Sequence, residues 1–308
     1  GTRSALHTLS RVSPVLLLAG VVLEVAAIAC YGQLTRAVLP RHSDPGYWTV
    51  MRIHLTTLSV SHCVPGGTAA GSSLGYRLMT NAGVRGADVG FAMGTEALYS
   101  ALVLNIIFWL ALVVSIPVWG FSPLYLTAAV VGMLLLALLV GLFLLLTRGA
   151  EWGGSLLRRV GDRIPFVQED VLQRLFEQTA TRLGEVLGDR RRIGRATLWA
   201  SLNWLLDAAS LWVFVGAFGH WVNPDGLLVA YGLANVLAAI PLTPGGLGVV
   251  EATLTSALVG FNTTRAVALL GVVAYRLVNF WIPIPVGGLA YLSLQIDPGG
   301  HHRPQTVP

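Results

Sequence analysis

The sequence predicts an all-α, polytopic membrane protein with an internal repeat and two interrupted short helices. Of its 308 residues, 54% are hydrophobic and only 11% are charged, whereas soluble domains carry roughly 25% charged residues. Apolar segments of about 20 residues, the length that crosses the hydrocarbon core, recur along the chain. A Pro-Gly-Gly motif occurs twice inside apolar sequence, at 65–67 and at 244–246. These observations predict a single membrane domain over residues 1–308.

The first half of the chain, residues 14–116, forms the first unit of the predicted repeat. Arg3 and Arg11 precede it, so the positive-inside rule places the N-terminus in the cytoplasm. The unit contains a first span, an apolar helix, a small-residue helix after the Pro-Gly-Gly motif and a long span. These lie at residues 14–39, at 47–63, up to Met79 and at 87–116, respectively.

The middle of the chain stands apart from the repeat. Residues 121–147 consist mainly of Leu, Val and Ala and carry no charged side chain, which predicts a scaffold span. Residues 148–195 hold ten arginines and seven acids on a helical amphipathic pattern. Such a pattern is typical of helices on a membrane surface, and the positive-inside rule places this segment in the cytoplasm.

The second half, residues 196–291, forms the second unit. Its predicted helices lie over residues 196–219, 227–240, 246–260 and 265–291, and the tail 297–308 is predicted to be disordered. The chain then has six or seven full spans. The sequence leaves open whether the short helices cross completely or re-enter, and whether the two units are parallel or inverted.

The two Pro-Gly-Gly motifs lie 179 residues apart. Proline ends the preceding helix, and glycine lets the backbone turn sharply. The helix that begins after each motif presents unpaired N–H groups and a positive dipole, which attract anions. Interrupted helices of this kind form substrate sites in transporters. With Arg77 and Arg276 nearby, a phosphate group is the predicted ligand.

Five ionisable residues lie at predicted membrane depth: Glu24, Glu96, Asp207, Glu251 and Arg276. Each costs at least ~2.5 kcal/mol to insert, so each is expected to face a cavity or a partner. Glu96 and Arg276 follow the two motifs at matching distances, which predicts an ion pair between them across the repeat interface. The alternative is that these residues pair with one another and only fix helix packing.

Further polar residues accompany these charges. Asn203 and Asp207 share one helix face, and Asn279 shares a face with Arg276. The candidate substrate-binding residues are Pro65, Gly66, Gly67, Arg77, Glu96, Asn203, Asp207, Thr243, Pro244, Gly245, Gly246, Gly248, Glu251, Arg276 and Asn279. We predict no catalytic residue, no metal site and no cofactor, because His54 and His62 lack neighbours at ligand spacing and the sequence has no nucleotide fingerprint.

The segment Thr243-Pro244-Gly245-Gly246-Leu247-Gly248-Val249-Val250-Glu251, followed by Tyr275-Arg276, forms a distinctive pattern. It resembles the signatures of the lysylphosphatidylglycerol synthase transmembrane family, also called flippase-like membrane proteins, and the resemblance covers nearly the whole chain. The first motif departs from the family pattern, because Ala69-Ala70-Gly71 stands where the family often has Gly-Glu. Glu96 takes the place of a glutamate that the family commonly has in the next span. The missing glutamate argues against a mechanism that needs two acids.

The resemblance implies lipid handling. Some members are fused to a soluble aminoacyl-transferase that makes a lysyl-lipid, and their membrane part moves this lipid across the bilayer. The present sequence is expected to be the translocation part alone, acting on a different lipid. We therefore expect a flippase or transporter, not an enzyme, for a phospholipid or a prenyl-phosphate-linked lipid with an anionic headgroup. Its expected location is a bacterial plasma membrane, and nucleic acid is not an expected partner.

A change in protonation of Glu96 or Glu251 is the predicted link between transport and a proton gradient. Two other functions remain open. One is an integral-membrane transferase that uses a lipid-linked sugar, for which the external loops offer the acids Asp44 and Asp225. The other is a scaffold for a separate lipid-modifying enzyme, which the arginine-rich segment 148–195 would bind.

Overall fold

A computed structural model describes residues 13–40, 45–64, 66–119, 129–130, 132–138, 140–141, 189–238 and 243–296. Within these ranges the regular structure is entirely helical. The predicted cytoplasmic tail, the arginine-rich segment up to residue 188 and the tail from residue 297 lie outside the described residues, as does most of the predicted scaffold span. The parts of that span that are described, within 129–141, are helical.

Besides the helical segment within 129–141, the described residues form nine α-helices. They are α1 Pro14–Val38, α2 Tyr47–Cys63, α3 Gly67–Asn81, α4 Gly86–Trp119, α5 Arg190–Ala217, α6 Pro224–Ala238, α7 Val249–Gly260, α8 Arg265–Arg276 and α9 Pro283–Ile296. Among the residues that the structure describes, four stretches are long and apolar enough to cross a membrane, at Pro14–Val38, Gly86–Ser115, Arg190–Ala217 and Arg265–Ile296. The prediction of an all-α, polytopic membrane protein is therefore confirmed.

The last span continues through Pro283 and Pro285, although a proline inside a helix usually bends or ends it. Helices α8 and α9 are joined by a π-helical turn, Leu277–Trp281. In this turn the Ile282 N–H donates to the Leu277 carbonyl oxygen at 2.9 Å, five residues back. Proline lacks the backbone N–H that the interior of a helix needs. Because α9 begins anew after the wider turn, Pro283 is its first residue, and at this position the N–H is not needed.

Helices α1 and α5 pack along each other in antiparallel directions. At the C-terminal end of α1, Arg192 donates to the carbonyl oxygens of Ala37 and Leu39, which have no partner within α1 because the helix ends there. In the middle, Asn203 Nδ2 donates to the Ala27 carbonyl oxygen at 3.0 Å. These side chains bind carbonyls of the partner helix, so the register of the pair is fixed by hydrogen bonds inside an apolar contact.

The short helices form two hairpins. Helices α2 and α3 have 17 and 15 residues, and α6 and α7 have 15 and 12, all shorter than the roughly 20 residues that cross a bilayer. In the first hairpin, α3 presents glycines to α2, and a Cβ at Gly71 would lie 2.7 Å from the Thr57 carbonyl oxygen. The arms therefore approach more closely than any larger residue would allow.

Each hairpin packs against the long span of the other half. Helix α2 contacts α9, where Ser59 Oγ donates to the Ile284 carbonyl oxygen at 2.8 Å. Helix α6 contacts α4, where Ser115 Oγ donates to Asp225 Oδ2 at 2.8 Å. A shift of 179 residues places α2 on α6 and α4 on the span of α8 and α9, so the two contacts join corresponding elements under the predicted repeat.

Candidate functional site

The first helix break separates α2 from α3. Pro65 lies outside the described residues. Gly66 has the left-handed φ of 69° that favours glycine, and α3 begins at Gly67. The first turn of α3 carries no acidic side chain, so no carboxylate within the helix neutralises its N-terminal N–H groups.

The second break is closed by its own side chains. Gly245, Gly246 and Gly248 have φ values of 54°, 70° and 82°, a backbone that glycine adopts without strain. Thr243 Oγ1 donates to the Leu247 carbonyl oxygen at 2.8 Å across the turn. Glu251 Oε2 accepts the Gly248 N–H at 2.6 Å. The N-terminus of α7 therefore already has an anion, the Glu251 carboxylate.

Arg276 is held between the second break and the last span. Its Nε lies 2.6 Å from Glu251 Oε1, and its Nη2 donates to the Gly245 carbonyl oxygen at 3.2 Å. Its guanidinium lies 4.5 Å from the centre of the Phe280 ring, and only 7% of the residue is exposed. The predicted Glu96–Arg276 pair is thus wrong, because Glu251 is nearer in the fold and takes the arginine.

A histidine that sequence reasoning considered only as a metal ligand joins the two breaks. His62, in the last turn of α2, stacks on Phe280 with ring centres 4.2 Å apart, and its Nδ1 lies 3.0 Å from the Phe280 carbonyl oxygen. Gly245 packs against both rings, so a Cβ at this position would overlap the Phe280 ring and would lie 3.3 Å from the His62 ring. The Pro-Gly-Gly spacing suggested two related breaks, but only the fold shows their contact through Phe280.

A second polar cluster lies between α1, α5, α6 and the last span. Asp207 Oδ1 accepts the Tyr275 hydroxyl at 2.7 Å, and Asp207 Oδ2 accepts the Tyr231 hydroxyl at 2.6 Å. Asn279 Nδ2 donates to Glu24 Oε1 at 2.8 Å and lies 3.3 Å from Asp207 Oδ1. The predicted site residues Asp207 and Asn279 therefore meet, whereas Asn203 binds the backbone of α1. Tyr231 was missed, and Tyr275 was noted only as part of the Tyr275-Arg276 pattern, because nothing in their sequence positions indicates a carboxylate partner.

Glu96 belongs to neither cluster. It lines a partly open cavity of about 420 Å³ formed by α1, α2, α3 and α4. Glu96 Oε1 accepts the Thr35 hydroxyl at 3.0 Å. The other polar residues that line the cavity are Tyr31, His54, Thr57, Thr68 and Ser72. Thr68 and Ser72 belong to the first turns of α3, so the cavity adjoins the first helix break.

Two more features of the cavity bear on what it binds. Tyr31 and His54 stack with ring centres 4.3 Å apart and form one part of its wall. Arg77, predicted to accompany the anion, is exposed and is not among the lining residues. Within the described residues, no group of three or more His, Cys, Asp or Glu side chains is placed to hold a metal ion.

Comparisons with known proteins agree with this architecture. A family model described as the lysylphosphatidylglycerol synthase TM region matches residues 1–287. The inner membrane protein YbhN of Escherichia coli K12 is 30% identical over 98 residues, which cover 32% of this chain and 30% of that protein. A UPF0104 membrane protein of Methanothermobacter thermautotrophicus is 24% identical over 176 residues, covering 54% of this chain and 52% of that protein.

One relative carries an enzyme name. The glycosyltransferase AglD of Haloferax volcanii is 29% identical over 128 residues, which cover 40% of this chain and 20% of that protein. The matched segments thus span about half or less of the relatives' own lengths.

Proposed function

Because the chain belongs to the lysylphosphatidylglycerol synthase transmembrane family, we propose that this multi-pass membrane protein moves a phosphate-bearing lipid across the bilayer. The observation that carries the proposal is the cavity between α1, α2, α3 and α4, whose largely apolar wall includes the carboxyl group of Glu96 and several hydroxyl groups. A cavity of about 420 Å³ lies in the range of small-molecule sites, roughly 300–1,000 Å³. It is large enough for a lipid headgroup, while the acyl or prenyl chains stay in the bilayer.

Hydroxyl groups in the cavity replace part of the water that a headgroup loses. Burying a polar group without hydrogen bonds is costly, and Thr57, Thr68 and Ser72 offer hydroxyls from α2 and α3. Glu96 accepts from headgroup hydroxyls or amines, as it now accepts from Thr35. The cavity therefore suits a headgroup that combines a phosphate with hydrogen-bond donors.

The phosphate is assigned to the first break and not to the second. Helix α3 begins beside the cavity with no acid in its first turn, so its N–H groups and the Thr68 hydroxyl are suited to an anion. At the second break the Glu251 carboxylate already binds the N-terminus of α7, and Arg276 is paired with this carboxylate. An incoming phosphate there would have to displace an internal carboxylate.

The arrangement of the halves supplies a route for alternating access. We place the two halves as inverted repeats, since α1 and α5 run antiparallel and each hairpin packs on the long span of the other half. Inverted repeats commonly rock against each other around a fixed site. Each hairpin enters and leaves the membrane on its own side as a re-entrant pair, and the two sides are opposite. The membrane is a plasma membrane, with the N-terminus in the cytoplasm.

The alternative of a lipid-linked sugar transferase depends on acids at an aqueous face. Of the two candidates, Asp44 lies outside the described residues. Asp225 lies in the first turn of α6 and accepts a hydrogen bond from Ser115 of α4. An acid in this first turn also interacts favourably with the helix dipole. This structural role makes Asp225 a weaker candidate for catalysis.

A vesicle assay tests the proposed function. Purified protein is reconstituted into phosphatidylcholine vesicles with a trace of fluorescent phosphatidylglycerol, and dithionite reports how fast the probe changes leaflet. Ser72→Leu fills the cavity and is expected to slow the exchange strongly. The matched control is Ser73→Leu, one position along α3, where the exposed Ser73 is not among the lining residues. Equal rates for both variants would refute the cavity as the site.

A further inference from the structure

We propose that Glu24 and Asp207 form a shared proton-binding site at the contact between α1 and α5, and that its proton drives lipid movement. The binding of the proton is a property of the fold alone. The coupling to movement rests on the proposed function. The cavity around Glu96 lies elsewhere, so lipid and proton occupy separate sites.

The geometry brings the two carboxyl groups onto one amide. Asn279 Nδ2 lies 2.8 Å from Glu24 Oε1 and 3.3 Å from Asp207 Oδ1, so a single N–H₂ group links both acids. Only 2% of Glu24 and 8% of Asp207 are exposed. The residues come from α1, α5 and the π-helical turn, and more than 180 positions of the chain separate Glu24 from Asp207.

The surrounding charges do not balance two carboxylates. Neither acid forms an ion pair with a described residue. Arg276, on α8, follows Tyr275 directly and attracts Asp207 electrostatically, but its ion pair is with Glu251 at 2.6 Å, so one cation faces three acids. The other titratable groups that face the pair are Tyr231 from α6 and Tyr275 from α8, and both act as neutral donors to Asp207. Two adjacent acids at membrane depth without a cation cannot both be ionised at reasonable cost.

The hydrogen bonds also indicate where the proton sits. Asp207 receives donors on both oxygens, two hydroxyls and the Asn279 amide, which stabilise it as the anion. Glu24 receives one donor on Oε1, and its Oε2 is buried without a hydrogen-bond partner. Fewer donors thus stabilise the Glu24 carboxylate than the Asp207 carboxylate, so Glu24 is the acid that carries the proton. A metal cation would need oxygen lone pairs facing it, whereas three donors already point at these oxygens.

The position of the pair explains how a proton changes the conformation. Glu24 and Asp207 face each other across the antiparallel α1–α5 contact, which joins the two halves. With one proton bound, the pair carries a single charge and the contact is favourable. When that proton leaves, two negative charges adjoin in a medium of low dielectric constant and repel. Protonation thus biases the contact between the halves, and a proton gradient shifts their equilibrium.

Infrared spectroscopy tests the proton site without any transport. Protonated carboxylic acids give a carbonyl stretching band that carboxylates lack. The purified protein in lipid is expected to show such a band at neutral pH, with a component that is lost in Glu24→Gln and in Asp207→Asn. Glu251→Gln is the matched control, because Glu251 is ion-paired and its loss should leave the band intact. A band unaffected by either of the first two variants overturns the proposal.

Tyr275→Phe keeps the test decisive if those variants do not fold. It removes one donor to Asp207 while preserving nearly all the volume, so the band component is expected to shift in frequency and in its pH titration. An identical spectrum and titration in Tyr275→Phe contradict the shared site.

The vesicle assay tests the coupling. With fluorescent phosphatidylglycerol as the probe, an imposed pH gradient is expected to change the rate of probe movement by wild-type protein, and this response is expected to be lost in Glu24→Gln. If the rate of probe movement by wild-type protein does not change with the pH gradient, the coupling is overturned. If wild type moves no lipid under any condition while the infrared result holds, the proposed function fails and the proton site stands.

Discussion

Glu251 and Arg276 fasten the second helix break to the last span, with Oε1 of the glutamate 2.6 Å from Nε of the arginine. The other carboxylate oxygen of Glu251 holds the Gly248 N–H, and the arginine also holds the Gly245 carbonyl oxygen. Both members of the pair thus bind the backbone of the break. The most specific residues of the sequence motif stabilise the turn itself, which explains why they occur together with its glycines.

Removal of one partner should therefore destabilise the protein. Arg276→Ala leaves the Glu251 carboxylate without its cation, and we expect a loss of about 3 kcal/mol, the lower end for a buried pair because Glu251 is partly exposed. The double variant Glu251→Ala/Arg276→Ala should lose less than the sum of the single variants. Unfolding of the protein in mixed detergent micelles measures all three. Additive losses would mean that the two residues stabilise the fold independently.

The left-handed backbone of the second break gives a separate prediction. Gly245 has a φ of 54°, and a Cβ there would overlap the Phe280 ring. Gly245→Ala should cost about 1–2 kcal/mol for the backbone alone, with an additional loss from the displaced ring. Thermal unfolding in detergent measures the effect.

Gly90→Ala is the matched control, because a Cβ at Gly90 in α4 meets no atom within 4 Å. Replacing this helical glycine is expected to be neutral or to stabilise by up to about 1 kcal/mol. Equal unfolding temperatures for the two variants would show that the break tolerates a side chain.

The antiparallel packing of α1 and α5 can be tested by cross-linking. Ala37 and Ala196 lie in one buried cluster, so cysteines at these positions should form a cross-link after Cys30 and Cys63 are replaced. The control pair joins Ala37 to Val213, which lies 17 residues further along α5, about 25 Å away. Gel mobility after treatment with a short thiol cross-linker distinguishes the pairs. A cross-link in the control pair alone would indicate parallel helices and would refute inverted halves.

Local sequence patterns located most of the helices and both breaks, because apolar length and Pro-Gly-Gly spacing act over short distances. They also identified Glu251 and Arg276 as important, but not as partners. The repeat offset suggested Glu96 for Arg276, whereas the fold places Glu251 against it, 25 residues away along the chain. The contact of Glu24 with Asn279 spans 255 residues. Periodicity carries no information about such distant pairs, so only the packing of the spans could show these contacts.

The two tyrosines that bind Asp207 provide the final prediction. Tyr231→Phe and Tyr275→Phe each remove a hydroxyl that donates to this buried carboxylate, at 2.6 and 2.7 Å. A buried acceptor that loses its donor costs about 1–3 kcal/mol, so each variant should unfold at a lower denaturant concentration than wild type. Tyr291→Phe, at an exposed position on α9, is the control and should have little effect. If all three variants unfolded alike, the hydroxyl bonds to Asp207 would contribute nothing measurable, and the polar cluster would be held together by the shape of its apolar surroundings alone.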